Sequence, residues 1–408
     1  MLFSYTILAS GFLIGFYMTW NIGANDVANS MASAVGAKAI TLRQAIVIAG
    51  ILNILGAAFI GSHVTETIRK GILSGSVMTD PHILIIGALS ALLSAALWVS
   101  FATWKSLPVS TTHSIVGSMI GFGLTIGGVS VINWKVLGAV VASWVISPIL
   151  SMAIAFILFK IIVRIVLSKR DAYERAIQTS PYFIGVTMFV VVMSFVYKTP
   201  LGGKLAFSGL GATIIAFIVS ALSGIIGKKL SIRMLNGKKK GGAEGIFRRI
   251  QIGTSCYIAL AHGSNDVANA VGPLAMIYFL AKNGTVSSQV PVPFFLLFFG
   301  GVGIATGIAM GGARVIKTVG EKITTLNNSR GFSVDFAAAT TVLLASKLGL
   351  PVSTTHAAVG GVMGVGMARG IDAVNYNIIF NIILYWLLTV PVAAGTCVFI
   401  FKILSWVL

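Results

Sequence analysis

Gly23-Ala24-Asn25-Asp26-Val27-Ala28-Asn29 follows an apolar run that opens at Leu2 and ends at Trp20, and the pattern returns as Gly263-Ser264-Asn265-Asp266-Val267-Ala268-Asn269. A carboxylate at the end of a membrane-length apolar run is expensive, because little water is there to solvate it. For one copy alone, a loop just outside the bilayer would be an equally good reading. Two copies, each with its aspartate close to flanking asparagines and each in an apolar setting, point to an intramembrane site.

The composition around these stretches belongs to a membrane. The chain has 408 residues, 56% hydrophobic and only 10% charged, with a mean hydropathy of +0.95. That excludes a soluble globule and leaves an all-α polytopic membrane protein in contact with lipid. A net charge of +19 would suggest nucleic acid in a soluble chain. Here the basic residues lie mostly in connections, where they orient the chain, and no nucleic-acid partner is expected. No Lys or Arg precedes Lys38, so the first apolar run reads as a span and not as a cleavable signal. Cys256 and Cys397 lack metal or redox spacing and read as packing residues.

Spans are expected near residues 2–24, 42–61, 83–104, 137–160, 181–197, 210–226, 250–262, 294–312, 336–346 and 377–401. Gly-rich apolar stretches at 113–128 and 356–368 follow polar breaks and read as broken or re-entrant crossings, giving about twelve segments in all. The densest basic cluster, from Lys228 to Arg249, belongs in the cytoplasm. Counting crossings outward from it places Lys160 to Arg175 and Arg314 to Arg330 on the same side, and both termini outside, in a multi-pass protein of the cell membrane.

A second motif also occurs twice. Pro108-Val109-Ser110-Thr111-Thr112-His113 recurs without change as Pro351-Val352-Ser353-Thr354-Thr355-His356. At the same offset Gly117, Gly121 and Pro148 match Gly360, Gly364 and Pro391. The expected organisation is a first repeat at 1–165, linking helices with a basic loop at 166–249, and a second repeat at 250–408. An odd number of crossings separates the repeats, so their topology is inverted. Transporters built this way bind substrate near the midplane, where broken helices meet.

The residue types suggest which ions bind there. Proline followed by Ser and Thr suits a helix start, and a helix starting inside the membrane presents free N–H groups and a partial positive charge. Two such starts, with Ser110, Thr111, Thr112 and Ser353, Thr354, Thr355, are suited to surround a tetrahedral oxyanion. For a single copy, Ser and Thr bonding back to their own helix is the simpler reading. Asn25, Asp26 and Asn29, with Asn265, Asp266 and Asn269, offer hard oxygen ligands to small cations, together with carbonyls freed where the helix unwinds at Gly23 or Gly263. Two aspartates and a phosphate total about −3 to −4, a buried charge that needs cations, so anion and cation binding should be coupled. Asp26 and Asp266 also face the anion. Near neutral pH phosphate has a proton to offer them, whereas sulfate does not. His113, His262 and His356 read as structural side chains bonded to helix carbonyls, with proton relay the other reading.

The two motif pairs resemble the signatures of the inorganic phosphate transporter (PiT) family, which includes sodium-phosphate cotransporters and bacterial proton- or metal-phosphate transporters. Residues 23–30, 41–44, 66–71 and 263–270 and both Pro-Val-Ser-Thr-Thr-His segments carry the resemblance, in the family order. It implies twelve spans, outside termini, a cytoplasmic central loop and cation-coupled phosphate uptake, with Asn25, Asp26, Asn265, Asp266 and the two Ser-Thr-Thr sets lining the site. The central loop at 227–249 is short beside larger eukaryotic-type members, and Asn53 stands where some members carry an acidic residue.

The expected function is therefore sodium-coupled phosphate symport by alternating access, with sodium as coupling ion and no resident cofactor. Paired asparagine and aspartate oxygens suit a metal ion better than a proton. Proton-coupled phosphate, metal-phosphate or sulfate symport is the alternative. An intramembrane hydrolase using Ser110, His113 and Asp26, or a passive anion channel, ranks lower, because a hydrolase has no need of duplicate machinery. A homodimer is compatible with this reading.

Overall fold

The computed structural model describes residues 2–61, 80–198, 209–234, 242–286, 290, 292–347 and 352–407, and among them there are helices and no strands. In chain order they are α1 (Leu2–Asp26), α2 (Ala28–Gly36), α3 (Leu42–Ile60), α4 (Pro81–Trp104), α5 (Thr111–Gly127), α6 (Trp134–Ile162), α7 (Ala172–Lys198), α8 (Gly209–Met234), α9 (Gly242–Asp266), α10 (Ala268–Asn283), α11 (Phe294–Lys317), α12 (Asn328–Lys347), α13 (Thr354–Met367) and α14 (Tyr376–Val407). Local chemistry sets several ends. Thr41 and Gln44 form a reciprocal capping box that opens α3. Asp80 caps α4 by accepting from the His82 N–H, with Pro81 in the first turn. Gly284, at φ +67°, ends α10 in the left-handed conformation that glycine adopts without strain.

Among the described residues, nine helical stretches are long and apolar enough to cross a membrane. The three expected spans that miss this measure lie on α9, α12 and α13, helices that carry polar residues of the site described below. The helix α4 lies at the centre, with 78% of its most apolar window buried, whereas the windows of α8 and α14 are 22% buried. Leu210, Phe217 and Leu222 on α8, and Phe380 and Leu387 on α14, turn outward, as lipid-facing side chains do. Several ends fall elsewhere than expected. Arg248 and Arg249 lie inside α9 and not in the basic loop, whose residues 235–241 are outside the described set, as are Glu66, Arg69 and Lys70.

The central helices touch backbone to backbone. A Cβ added at Gly23 would lie 1.9 Å from the Ile304 carbonyl oxygen, and one at Gly307 1.8 Å from that of Trp20, so α1 and α11 cross at these glycines. The same arrangement joins α3 and α9, where Gly56 meets Leu260 and Gly263 meets Asn53. Side-chain size alone forbids any other residue at such crossings. The expectation that Gly23 and Gly263 unwind the helix is therefore corrected. Each glycine lies inside a continuous helix, and the break comes four residues later, at Val27 and Val267.

The short helices exchange partners between the two halves of the chain. On α5, Gly117 and Gly121 rest on the backbone of Val390 and Ala394 of α14, and on α13, Gly360 and Gly364 rest on Pro148 and Met152 of α6. Each motif is thus positioned partly by the other half of the sequence.

Candidate ion-binding site at the paired helix breaks

The two Asn-Asp-x-x-Asn segments fold alike. α1 ends at Asp26 and α2 starts at Ala28, with Val27 at φ −55° and ψ −27° between them; Val267, between Asp266 and Ala268, has φ −55° and ψ −31°. The helix starts also match. Ser110 (φ −83°, ψ 115°) caps α5 by accepting from the His113 N–H, and Ser353 (φ −82°, ψ 118°) caps α13 by accepting from that of His356. Pro108 does not open the helix as expected. It lies in the extended segment before the cap, where its fixed φ and missing N–H favour extended backbone and where its carbonyl accepts from Trp386 Nε1. Pro351 lies outside the described residues. Thr111 and Thr112 occupy the first turn of α5, where backbone N–H groups lack intrahelical acceptors, and Thr354 and Thr355 do so on α13.

Breaks and starts interlock across the molecule. Asn29 Nδ2 donates to Thr354 Oγ1 at 3.1 Å and Thr355 Oγ1 at 3.0 Å, and Asn269 Nδ2 donates to Thr111 Oγ1 at 3.3 Å and Thr112 Oγ1 at 3.1 Å. Thr111 Oγ1 donates to Asp26 Oδ2 at 2.6 Å, Thr355 Oγ1 lies 3.5 Å from Asp26 Oδ1, and Thr354 Oγ1 lies 3.4 Å from Asp266 Oδ2. Asp26 and Asp266 are both 1% exposed. Ligand atoms of Asp26, His262 and Asp266 all lie within 4.8 Å of one another. Two carboxylates that close, shielded from water, repel strongly unless protons or cations lie between them. His262 Nε2 is 2.8 Å from Asp266 Oδ2 and supplies at most one positive charge.

The asparagines before the aspartates have different work. Asn25 braces the approach to α5: its Nδ2 donates to Thr103 Oγ1 at 2.9 Å and the Leu107 carbonyl at 3.1 Å, and its Oδ1 accepts from the Val109 N–H at 3.0 Å. Its oxygen is already engaged. Asn265 Nδ2 donates to Asp266 Oδ1 at 2.9 Å. Asn265 also lines a cavity of about 50 Å³, shared with Asn29, His262, Thr354, Tyr257 and Ser194, that approaches Asp266 from the side of α7 and α12. The Ser–His–Asp relay of the hydrolase reading is not assembled. Ser110 Oγ caps its own helix, Asp26 accepts from Thr111, and neither ring nitrogen of His113 has a partner among the described residues.

Two features escaped the sequence reading. One is Asp335 on α12, 2% exposed, which accepts from Ser33 Oγ of α2 and Ser255 Oγ of α9, each at 2.5 Å. Gln251, one turn before Ser255, is fully buried with neither amide atom partnered among the described residues, and it lies against Gly331, one turn before Asp335. The cost of a lone carboxylate beside the expected span at 336–346 was the available signal. The other is the partner of Asn53, a residue noted in the sequence only for its departure from the family: its Oδ1 lies 2.7 Å from His262 Nδ1 while its Nδ2 donates to the Ala49 carbonyl. An amide oxygen only accepts, so His262 Nδ1 carries a hydrogen and Nε2 is turned to Asp266.

Residues 22–397 match the model of the phosphate transporter family. The chain belongs to that family. Its curated relatives include a putative phosphate permease of Thermococcus kodakarensis, 49% identical over 96% of each chain, and the chloroplastic inorganic phosphate transporter 2-1 of Arabidopsis thaliana, 42% identical over 97% of this chain and 72% of the relative. A solved structure titled "The sodium-dependent phosphate transporter" is 46% identical, with a TM-score of 0.90 covering 99% of this chain and 100% of that one. This multi-pass membrane protein is accordingly a phosphate transporter and not an enzyme, and the helical fold agrees with that of its solved relative.

Proposed function

We propose that the transporter carries inorganic phosphate across the cell membrane in symport with sodium. The observation that carries this reading is the convergence of Asp26 and Asp266, buried and with ligand atoms within 4.8 Å, on threonines that open two helices. The first-turn N–H groups and hydroxyls of α5 and α13 suit the phosphate oxygens. Asp26, Asp266, Asn29 and Asn269 stand where small cations would neutralise the cluster, with Asn265 beside them and Asn25 bracing the frame. Asp335, with Ser33, Ser255 and the unpartnered Gln251 amide, supplies a further oxygen-rich place for a coupling cation. Since phosphate and cations each neutralise the other's cost of burial, each raises the other's affinity.

The recurrence of helix crossings, breaks and caps in both halves supports an inverted repeat at 1–165 and 250–408, with the termini outside and alternating access by one set of helices rocking against the other. The 46%-identical relative whose title names sodium dependence adds support. Proton coupling is the second reading, favoured by the contact of His262 with Asp266. Uptake of labelled phosphate into proteoliposomes separates them. An inward sodium gradient should drive accumulation at uniform pH, and a proton gradient without sodium should not. Equal accumulation in the sodium-free arm would refute sodium symport.

A further inference from the structure

The helix α6 carries Pro148 in its interior. Proline has no N–H, so the carbonyl one turn earlier, that of Trp144, loses its helical donor. A carbonyl freed inside the membrane needs another donor. His356 supplies it, with Nδ1 3.1 Å from the Trp144 oxygen. A carbonyl only accepts, so Nδ1 carries the hydrogen and donates. Gly360, one turn further along α13, rests on the proline itself, where a Cβ would lie 2.3 Å from the Pro148 oxygen. His356 and Gly360 together seat α13 on the position of the missing hydrogen bond.

The same imidazole also touches the support of the other helix start. Trp386 stacks on it, with ring centroids 3.7 Å apart at 22°, and Trp386 Nε1 donates to the Pro108 carbonyl at 3.1 Å, in the segment that leads into α5. His113 meets it edge to face at 4.5 Å. Position in the sequence makes this contact consequential. The backbone N–H of His356 is capped by Ser353, and Thr354 and Thr355 lie immediately before it, so a shift of the ring shifts all three hydroxyls. The equivalent contact is not made in the other half. α14 carries Pro391 in its interior, yet both ring nitrogens of His113 are without a partner among the described residues.

We propose that His356 is a positioning residue for phosphate: its Nδ1–H bond to the Trp144 carbonyl, freed by Pro148, holds the Ser353, Thr354 and Thr355 hydroxyls in binding geometry. This rests on the assignment of those hydroxyls to phosphate made above. A residue that merely fills space between Trp386 and His113 would be replaceable by any flat ring. A positioning residue needs its donor.

The test uses the full-length protein in proteoliposomes, with labelled phosphate uptake under a sodium gradient and equilibrium phosphate binding in detergent. His356→Phe keeps a ring and removes the donor; it should raise KM for phosphate about tenfold, the scale of one buried hydrogen bond, with the maximal rate within about twofold. His356→Asn places an amide N–H near the former Nδ1 and should keep KM close to that of the unmodified protein. Pro148→Ala gives the Trp144 carbonyl its helical donor back, so it should raise KM as His356→Phe does and add nothing to that variant. An unchanged KM in Pro148→Ala, equal loss in His356→Asn and His356→Phe, or multiplying effects in the double variant would each overturn the proposal. If His356→Phe does not reconstitute, Pro148→Ala and His356→Asn decide alone. Thr354→Ala combined with Thr355→Ala tests the underlying assignment separately, because unchanged phosphate binding in that variant removes the hydroxyls from the site whatever His356 does.

Discussion

The two helix breaks share a backbone and differ in what lies behind them. Gly23 is preceded by Ile22 and packs against Ile304, both fully buried. Gly263 is preceded by His262 and packs against Asn53, whose side chains are joined at 2.7 Å. An apolar pair in one copy is thus a polar pair in the other. Among the described residues Asp26 accepts hydrogen bonds only from hydroxyls, those of Thr111 and Thr355, whereas Asp266 has an imidazole at 2.8 Å. Duplication sets up the two half-sites, and these two substitutions make them chemically unequal, so that under the proposed sodium symport the first should depend more on a cation.

That inequality orders the expected losses. Asp26→Asn should be the most severe change, lowering sodium-driven phosphate uptake by about 100-fold, the scale of removing one partner from a buried charged cluster. Uptake and sodium dependence like those of the unmodified protein would take Asp26 out of the mechanism.

The next change makes the second break resemble the first. His262→Ile with Asn53→Ile replaces both polar partners at once, which is close to neutral for stability, whereas His262→Ile alone strands the Asn53 oxygen and should destabilise by about 1 to 3 kcal/mol more. The double variant should fold and transport about tenfold less, on the scale of one hydrogen bond to a charged group. Thermal melts and uptake rates on the same preparations check both halves, and full transport by the double variant would show that the asymmetry has no part in transport.

A smaller effect is expected away from the breaks. Asp335→Asn should weaken the sodium dependence of uptake by about three- to tenfold, with phosphate KM at saturating sodium little changed. A sodium titration unaltered by this substitution would leave Asp335 as a structural hydrogen-bond acceptor for Ser33 and Ser255.

The smallest expected effect is that of Asn25→Ala. It strands the Val109 N–H and the Leu107 carbonyl, so stability should fall by about 1 to 3 kcal/mol and uptake by about threefold, with sodium dependence retained. A change in sodium dependence as large as that of Asp26→Asn would make Asn25 a cation ligand after all.

Much of this was legible in the sequence because it is encoded within a few residues. Apolar runs of membrane length mark spans, and serine ahead of two threonines marks the helix starts, which fall at Thr111 and Thr354. The identity of the repeated motifs also implied that both copies fold alike, as the matching backbone angles of Ser110 and Ser353 bear out. The bond from His356 to a helix carbonyl agrees with the structural reading of that histidine. Those signals are short-range, and no packing partner is needed to interpret them.

Tertiary structure decided the rest. Whether Gly23 unwinds a helix or seats one depends on Ile304, a residue far along the chain. The sequence places Asn29 near Asp26, but only the exchange of α5 and α13 between the halves brings Asn29 to Thr354 and Thr355, and Asn269 to Thr111 and Thr112. Asp335 lies just before the expected span at 336–346, and only the packing of α2 and α9 brings Ser33 and Ser255 to it. The physical reason is common to all of these. Caps and hydropathy act over one or two helical turns, whereas the partner of a buried polar group is set by which helix surfaces fit closely, and that choice belongs to the packed chain as a whole.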